Sequence, residues 1–361
     1  MINYEILHSN YQQAEKDYIS FYKGESWKKD YLNFSSKVKY KNNLINFRNK
    51  KSLTYGLDDF GGYFKTVETL IKLIDICGKK FIDDNLENTV GNPEQVYDIG
   101  GKKYNYNDLE NIFNLFSITK NLLNEPKTIC EIGAGYGCLL SKLKLNYPEC
   151  KIISIDLPEA LLLQTYYLNQ IYPEKRFFLY KDFLQYNSSN TDFINLPLDD
   201  YDFFILPPWA LRKIKIRQQI DLIINVDSMM EMTKKVINEY FLFIQESLKY
   251  DGIFYNVNKY KKIASGDVVK IAEYPYDDFW KVLVSKNYWT KPNIHQLITK
   301  RLNSIGDIKE DLSKLPKENI HKAAIKTSST GIIKKIIRFL LNLTFNFIPK
   351  KYLKKILQIY Y

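Results

Sequence analysis

Residues 131–137, EIGAGYG, place a glutamate just ahead of three alternating glycines, and Asp156 closes the next apolar run, KIISID. Glycine-rich turns after strands hold cofactors because backbone N–H groups can approach a ligand where no Cβ intervenes. The spacing is GxGxG (Gly133, Gly135, Gly137), with Cys138 where the dinucleotide pattern GxGxxG has its third glycine. A carboxylate at Glu131 disfavours a pyrophosphate and favours an ammonium. S-adenosylmethionine carries that ammonium, a carboxylate suited to the turn, and a ribose whose hydroxyls suit Asp156. These residues predict S-adenosylmethionine as the cofactor. Leu157, beside Asp156, and Asn225, in the run IDLIINVD, complete the predicted cofactor-binding set. The adenine contact has two placements. One is Asp182, after the run RFFLY; the other is the apolar wall of Leu206, Pro207, Pro208 and Trp209. Core packing is the alternative role for Trp209, which is also placed on the substrate side.

Methyl transfer needs an aligned acceptor and a group to take its proton. Asp227 and Glu231 follow the strand-like run that ends near Val226, at the end of an open α/β sheet where ligands bind. Glu231 is the favoured base or orienting residue, with Asp227 beside it and His295 as a second candidate base. Ser228, Tyr255 and Asn258 are the expected polar lining of the substrate pocket. Ser228-x-x-Glu231 is also a capping-box pattern, so support of the following helix is the competing role for Glu231. Two acids do not make a metal site without further ligands, so no metal ligand is assigned, and a Mg²⁺-assisted transfer stays the alternative.

The elements that must position these groups follow a strand, turn, helix rhythm from about residue 126. Strands are expected at 128–132, 151–156, 176–182, 201–209, 220–227 and 251–260, and helices in CLLSKLKLNYP, over PEALLLQTYYLNQIY with Pro158 in its first turn, and through KKVINEYFLFIQESL. Alternation of this kind predicts an α/β fold with a doubly wound, mostly parallel sheet. Residues 1–125 read as a helical N-terminal region on the substrate side, with an apolar stripe at Phe64, Val67, Leu70, Ile71 and Ile74. The expected divisions are 1–125, 126–300 for the cofactor-binding domain, and 301–361 for a linker and basic amphipathic tail.

The 361 residues are 45% apolar, enough for a substantial core, and carry a net charge of +11. Seven Lys/Arg and no acid fall in 331–361, so the excess is concentrated there. Apolar residues at Ile332, Ile333, Ile336, Ile337, Leu340 and Leu341, with Lys334, Lys335 and Arg338 between them, predict a helix lying on an anionic membrane surface. Docking on the protein or on a partner subunit is the alternative. Nucleic acid is not an expected partner, because no recognisable module interleaves stacking aromatics with the basic residues. Oligomeric state stays open. The four cysteines form no CxxC pair, the first residues lack the apolar core of a signal peptide, and no apolar run reaches the roughly 18–20 residues of a membrane span. A cytoplasmic protein, peripheral at the inner face of the membrane, is expected.

The segments DLPEALLLQTYYLNQIYP (156–173) and DLIINVDSMMEMTKKVINEYFLFI (221–244) resemble the sugar O-methyltransferases of bacterial surface-polysaccharide gene clusters. That family has an EIGxGYG turn, a DLPE segment, a strand ending near N-x-x-S-x-x-EM and a closing GxFYxxN, matched here by Gly252, Phe254, Tyr255 and Asn258. The likeness covers about 88–260, including VGNP (90–93), with a fainter echo in NFRNKKSLTYGLDDFGG (46–62). Ala134 stands where the family often has glycine, and Asp227 replaces the usual Asn of an Asn-x-Asn-Ser pattern. The resemblance implies a class I methyltransferase fold, S-adenosylmethionine, and a sugar or lipid-linked glycan acceptor. An acceptor that is a small-molecule or lipid hydroxyl, and a non-catalytic cofactor-binding scaffold, are the competing readings.

Overall fold

Runs of consecutive apolar residues, rather than alternating ones, build the centre of the sheet, as strands covered on both faces require. The computed structural model describes residues 2–22, 36–49, 62–86, 89–188, 194–264 and 267–318. The main sheet contains β1 (Thr128–Ile132), β2 (Lys151–Ile155), β3 (Phe177–Phe178), β4 (Phe203–Leu206), β5 (Ile220–Val226), β6 (Leu248–Lys259), β7 (Trp280–Asn287) and β8 (Ile294–Arg301). Its spatial order is β7-β8-β6-β5-β1-β2-β4-β3. Strands β1 to β6 pair in parallel, and β8 is inserted antiparallel between β6 and β7. The carboxyl ends of the parallel strands therefore gather Glu131, Asp156 and Asp227 along one edge.

The helices are α1 (Tyr4–Lys16), α2 (Lys41–Ile45), α3 (Gly62–Cys77), α4 (Lys79–Asp84), α5 (Tyr106–Asn121), α6 (Cys138–Asn146), α7 (Pro158–Ile171), α8 (Tyr180–Ser188), α9 (Lys234–Ser247) and α10 (Ile308–Lys314). Pro158 opens α7, where a missing N–H costs nothing. The N-terminal region is helical as expected, with one small hairpin, Tyr97–Ile99 on Lys102–Tyr104. Helix α3 forms where its periodicity places it. Its buried residues, however, are Thr66, Thr69, Leu70 and Leu73, so the covered stripe is rotated from the one read off Phe64 and Val67.

Two strand expectations need correction. The run 176–182 is a strand only at Phe177–Phe178, because Asp182 Oδ2 accepts the Leu179 N–H at 2.8 Å and starts helix α8. The run 201–209 stops at Leu206, because Pro207 and Pro208 have no N–H for a ladder, and a 3₁₀ turn follows over Pro208–Lys213.

The chain divides into two units after Glu318, and the described residues all lie in the first, which is compact. The change of rhythm near residue 125 thus falls inside the first unit. Helix α1 packs on α7, the Ile2 N–H donates to Asn169 Oδ1 at 2.8 Å, and the Lys181 N–H donates to Asn10 Oδ1 at 2.8 Å. The division expected at 300 falls there too, since Val282 N–H donates to Asp307 Oδ1 at 2.7 Å. The expected amphipathic tail, 331–361, and residues 50–61 of the N-terminal echo lie outside the described residues. Among the described residues no helix is long and apolar enough to cross a membrane.

Candidate functional site

The glycine turn is built for backbone conformations that a Cβ resists. Gly133, Gly135 and Gly137 have φ of 77°, 60° and 93°. At Gly133 a Cβ would also lie 1.9 Å from Ser228 Oγ, so Ser228 is seated directly against the turn. Asp156 fixes the turn from β2. Its Oδ2 accepts the Gly135 N–H at 3.2 Å and Gln164 Nε2 at 2.9 Å, and its Oδ1 accepts the Leu157 N–H at 2.8 Å. Gln164 also donates to the Gly135 carbonyl at 2.9 Å and accepts from Ser154 Oγ at 2.6 Å. Sequence reasoning missed Gln164, which lies inside α7 with no motif to mark it.

Tyr136, in the middle of the turn, is buried against Phe47 and Tyr167 with ring centroids 5.2 and 5.0 Å away, and its hydroxyl accepts from Asn107 Nδ2 at 3.1 Å. The Arg48 guanidinium lies 5.2 Å over its ring. The VGNP segment locks this contact from behind. A Cβ on Gly91 would lie 2.4 Å from the Phe47 ring, and the Arg48 N–H donates to the Gly91 carbonyl at 2.9 Å.

Glu131 ends up in an unusual state for a carboxylate. It is 3% exposed, and its Oε2 is buried without a hydrogen-bond partner. Burial, with the Asp156 charge nearby, pushes it up to about 8. Burial likewise raises Asp156 to about 7, against the hydrogen bonds from Leu157, Gly135 and Gln164. A buried acceptor left unmatched costs stability unless something answers it. Gly133, Ala134, Gly135, Asp156 and Leu157 are all partly exposed, so this end of the sheet is open to a ligand.

The N-x-x-S-x-x-EM and FYxxN segments meet in space, as an asparagine network rather than as a pocket lining. Asn225, 0% exposed, donates from Nδ2 to the Ile132 carbonyl at 2.7 Å and accepts at Oδ1 from Met229 N–H at 3.0 Å and Asn258 Nδ2 at 2.8 Å. Asn258 Oδ1 accepts the Met230 N–H at 3.0 Å, and its Nδ2 also donates to Asn256 Oδ1 at 2.6 Å. Both asparagines therefore hold the turn after β5, with their side chains committed to the protein. This corrects the direct binding roles expected for them. Tyr255 is fully buried too, donating to Asn114 Oδ1 on α5 at 2.8 Å and accepting from Gln296 Nε2 at 2.9 Å, so it braces α5 rather than lining a pocket. Replacing Asn225 with Ala should cost about 2–4 kcal/mol, because three partners lose their bonds, two of them backbone groups. Urea unfolding reads the loss, and Asn225→Asp, which cannot donate to Ile132, should not recover it.

Beyond the network, the chain turns sharply. Asp227 has φ of 53°, held by its N–H donating to the Val257 carbonyl at 2.8 Å. Its Oδ2 meets Lys291 Nζ at 3.2 Å, while Oδ1 is buried with no hydrogen-bond partner. Lys291, from the turn between β7 and β8, also pairs with Glu110 Oε2 of α5 at 3.1 Å. Burial would lower the Lys291 ammonium, but the charges of Asp227 and Glu110 outweigh it and raise it. Glu231 closes the 3₁₀ turn Met229–Glu231 and pairs with Lys262 from the hairpin Lys261–Ala264/Asp267–Lys270. It makes no capping box, since the Ser228 side chain caps nothing and Thr233 caps α9 through a 3.4 Å bond from Val236 N–H. Lys262, Lys291 and Glu110 carry no sequence signal of their own.

Three expected residues sit elsewhere. His295 lies on β8, 2% exposed, with Nδ1 3.0 Å from Tyr260 Oη and Nε2 3.0 Å from Ser285 Oγ. Burial lowers it to about 4, and with both nitrogens occupied it is a core histidine rather than a base. Trp209 is 7% exposed, donates to Tyr180 Oη at 3.0 Å and packs edge-on against Tyr18 at 5.7 Å, the packing role rather than an open wall. Asp182 belongs to the segment after the outermost strand. Strand β4 lies next to β2, so of the two adenine placements the Leu206–Pro207 end is the one beside Asp156. Among the described residues no group of three or more His, Cys, Asp or Glu could hold a metal ion.

An open sheet with one antiparallel strand inserted near its edge, and a glycine turn after the first central strand, is the Rossmann-like fold of class I methyltransferases. No family model matches the sequence, and neither does any curated protein. Solved structures similar to this chain include a candidate sarcosine dimethylglycine methyltransferase from Galdieria sulphuraria (11% identity, 56% of this chain and 90% of that one, TM-score 0.39). Others are geranyl diphosphate methyltransferase in complex with SAM (12%, 55% and 88%, TM-score 0.38) and TehB from Haemophilus influenzae (12%, 52% and 62%, TM-score 0.37).

Proposed function

We propose that this chain is an S-adenosylmethionine-dependent O-methyltransferase acting on a sugar hydroxyl in bacterial surface-glycan synthesis. One observation carries the cofactor: Glu131, buried and unmatched at Oε2, beside a glycine turn open to solvent. An ammonium supplies the missing partner, and a pyrophosphate would aggravate the burial. The residues present fit the cofactor at three points. Glu131 answers its ammonium, the backbone of Gly133–Gly137 faces its carboxylate, and Asp156 Oδ1 keeps a lone pair for a ribose hydroxyl, its other acceptor sites being taken by Leu157, Gly135 and Gln164. When bound, the cofactor supplies an electrophilic methyl carbon on a sulfonium. The protein's own part is to hold the turn, exclude water and place a proton acceptor at Asp227 or Glu231. The sugar acceptor rests on the likeness of residues 88–260 to the surface-polysaccharide family.

Calorimetry on the full chain with S-adenosylmethionine tests the cofactor reading. Binding is expected for the wild type and its loss for Asp156→Ala, which removes both the ribose acceptor and the anchor of Gly135. A wild-type chain that shows no heat of binding would overturn it. For the acceptor, mass spectrometry of surface glycans from a strain lacking the protein should show one methyl ether missing.

A further inference from the structure

Two lysines that no motif marks stand at the acceptor end of the site, each paired with a carboxylate. We propose that the pairs Asp227–Lys291 and Glu231–Lys262 form an acceptor subsite for an uncharged vicinal diol, with Asp227 Oδ1 taking the proton of the hydroxyl that is methylated. The inference rests on the methyltransferase reading above and deepens it.

Position comes first. Asp227 directly precedes Ser228, whose Oγ touches the glycine turn, and Glu231 with its Lys262 follows on the 3₁₀ turn Met229–Glu231. Chemistry comes next. Asp227 is anchored by Oδ2 on Lys291, while Oδ1 is buried without a partner and remains an unmatched acceptor. Lys291 cannot swing away easily, since Glu110, 7% exposed and receiving Thr290 Oγ1 at 2.7 Å, holds its other side. The four side chains are 22–34% exposed, within reach of a ligand yet shielded from bulk water.

A diol in one ring donates an O–H to a carboxylate and accepts from an ammonium through the neighbouring oxygen. Two carboxylate–ammonium pairs offer that pattern twice over. Both ammoniums are already neutralised, so a phosphate would meet Asp227, Glu231 and Glu110 without a surplus of positive charge to offset them. As the acceptor oxygen gains the methyl group, its proton passes to Asp227 Oδ1 and the C–S electron pair leaves with the thioether.

The test uses the full chain in three measurements. Calorimetry with S-adenosylmethionine should give the same Kd within twofold for wild type, Lys291→Met, Lys291→Arg and Lys262→Met. Transfer of tritiated methyl to a panel of methyl glycosides and nucleotide sugars, with matching deoxy analogues, should label a diol-bearing ring and spare the analogue lacking one of the two hydroxyls. Lys291→Met should then lower kcat about 10–100-fold, Lys291→Arg should recover part of it, and Lys262→Met should act mainly on the acceptor KM. Saturation-transfer NMR of the labelled glycoside, with S-adenosylhomocysteine present, should lose its signal in Asp227→Asn/Lys291→Met. Three outcomes overturn the proposal: cofactor binding with no labelled glycan on the panel, equal labelling of the deoxy analogue, or Lys291→Met within twofold of wild type. Absence of cofactor binding to the wild type overturns the methyltransferase reading, and the subsite with it.

Discussion

Glu131→Gln should weaken S-adenosylmethionine binding by about 100-fold while leaving the ligand-free protein more stable than wild type. The two effects share one cause. A carboxylate that is 3% exposed and unmatched at Oε2 is a burden until an ammonium arrives. A buried charge-assisted hydrogen bond contributes about 1.5–3 kcal/mol, and breaking a buried ion pair costs about 3–5 kcal/mol. A neutral amide of the same shape forfeits that attraction but also escapes the desolvation. A merely structural residue would lose stability along with affinity. Calorimetry paired with thermal unfolding separates the two cases.

The same site fixes a pH dependence. Burial and the Asp156 charge raise Glu131 to about 8 in the folded, ligand-free chain, from an ordinary value near 4.5. Between those values the folded state holds a proton that the unfolded state has released, so ligand-free stability should fall as pH rises through that window. An ammonium favours the ionised carboxylate, so affinity should rise over the upper part of the window and binding near pH 7 should release protons. Calorimetry in two buffers of different ionisation enthalpy counts them. In Glu131→Gln the release should shrink to what Asp156 contributes.

Gly133→Ala should be the most damaging single methyl in the turn. Its Cβ would lie 1.9 Å from Ser228 Oγ and 2.5 Å from Ser228 Cβ, on a backbone with φ of 77°. Overpacking costs about 1–3 kcal/mol and a left-handed non-glycine about 1–2 kcal/mol. A combined loss of about 2–5 kcal/mol, with loss of cofactor binding, is expected. Gly133→Ala/Ser228→Gly should recover the overpacking share and leave the conformational share, a division that urea unfolding of the three variants measures. Full recovery in the double variant would mean that φ matters less than the contact.

The sequence was most legible where local chemistry and global fold agree. The apolar runs of β1, β2 and β5, the GxGxG turn, Pro158 and Asp156 each act through neighbours close in the chain. Legibility failed where a side chain's role depends on distant partners. Asn225 and Asn258 read as polar groups at a strand end, and only their meeting across 33 residues shows that they satisfy each other. His295 reads as a candidate base until Tyr260 and Ser285 are seen to occupy it. Lys262 and Lys291 were invisible because lysines in a hairpin and a turn are ordinary, and their carboxylate partners come from other elements. Glu231 was ambiguous for a simpler reason: a capping-box pattern needs an α-helix that begins right after its serine, and here only a 3₁₀ turn follows Ser228 while the α-helix begins at Lys234.

The contact between Tyr136 and the Phe47–Arg48 segment ties the glycine turn to the N-terminal region. Tyr136 has glycines on both sides, so the turn carries at its centre a ring on which residues 47, 48, 107 and 167 rest. The turn is thereby tied to chain some ninety residues upstream, and the N-terminal region supports it rather than standing beside it.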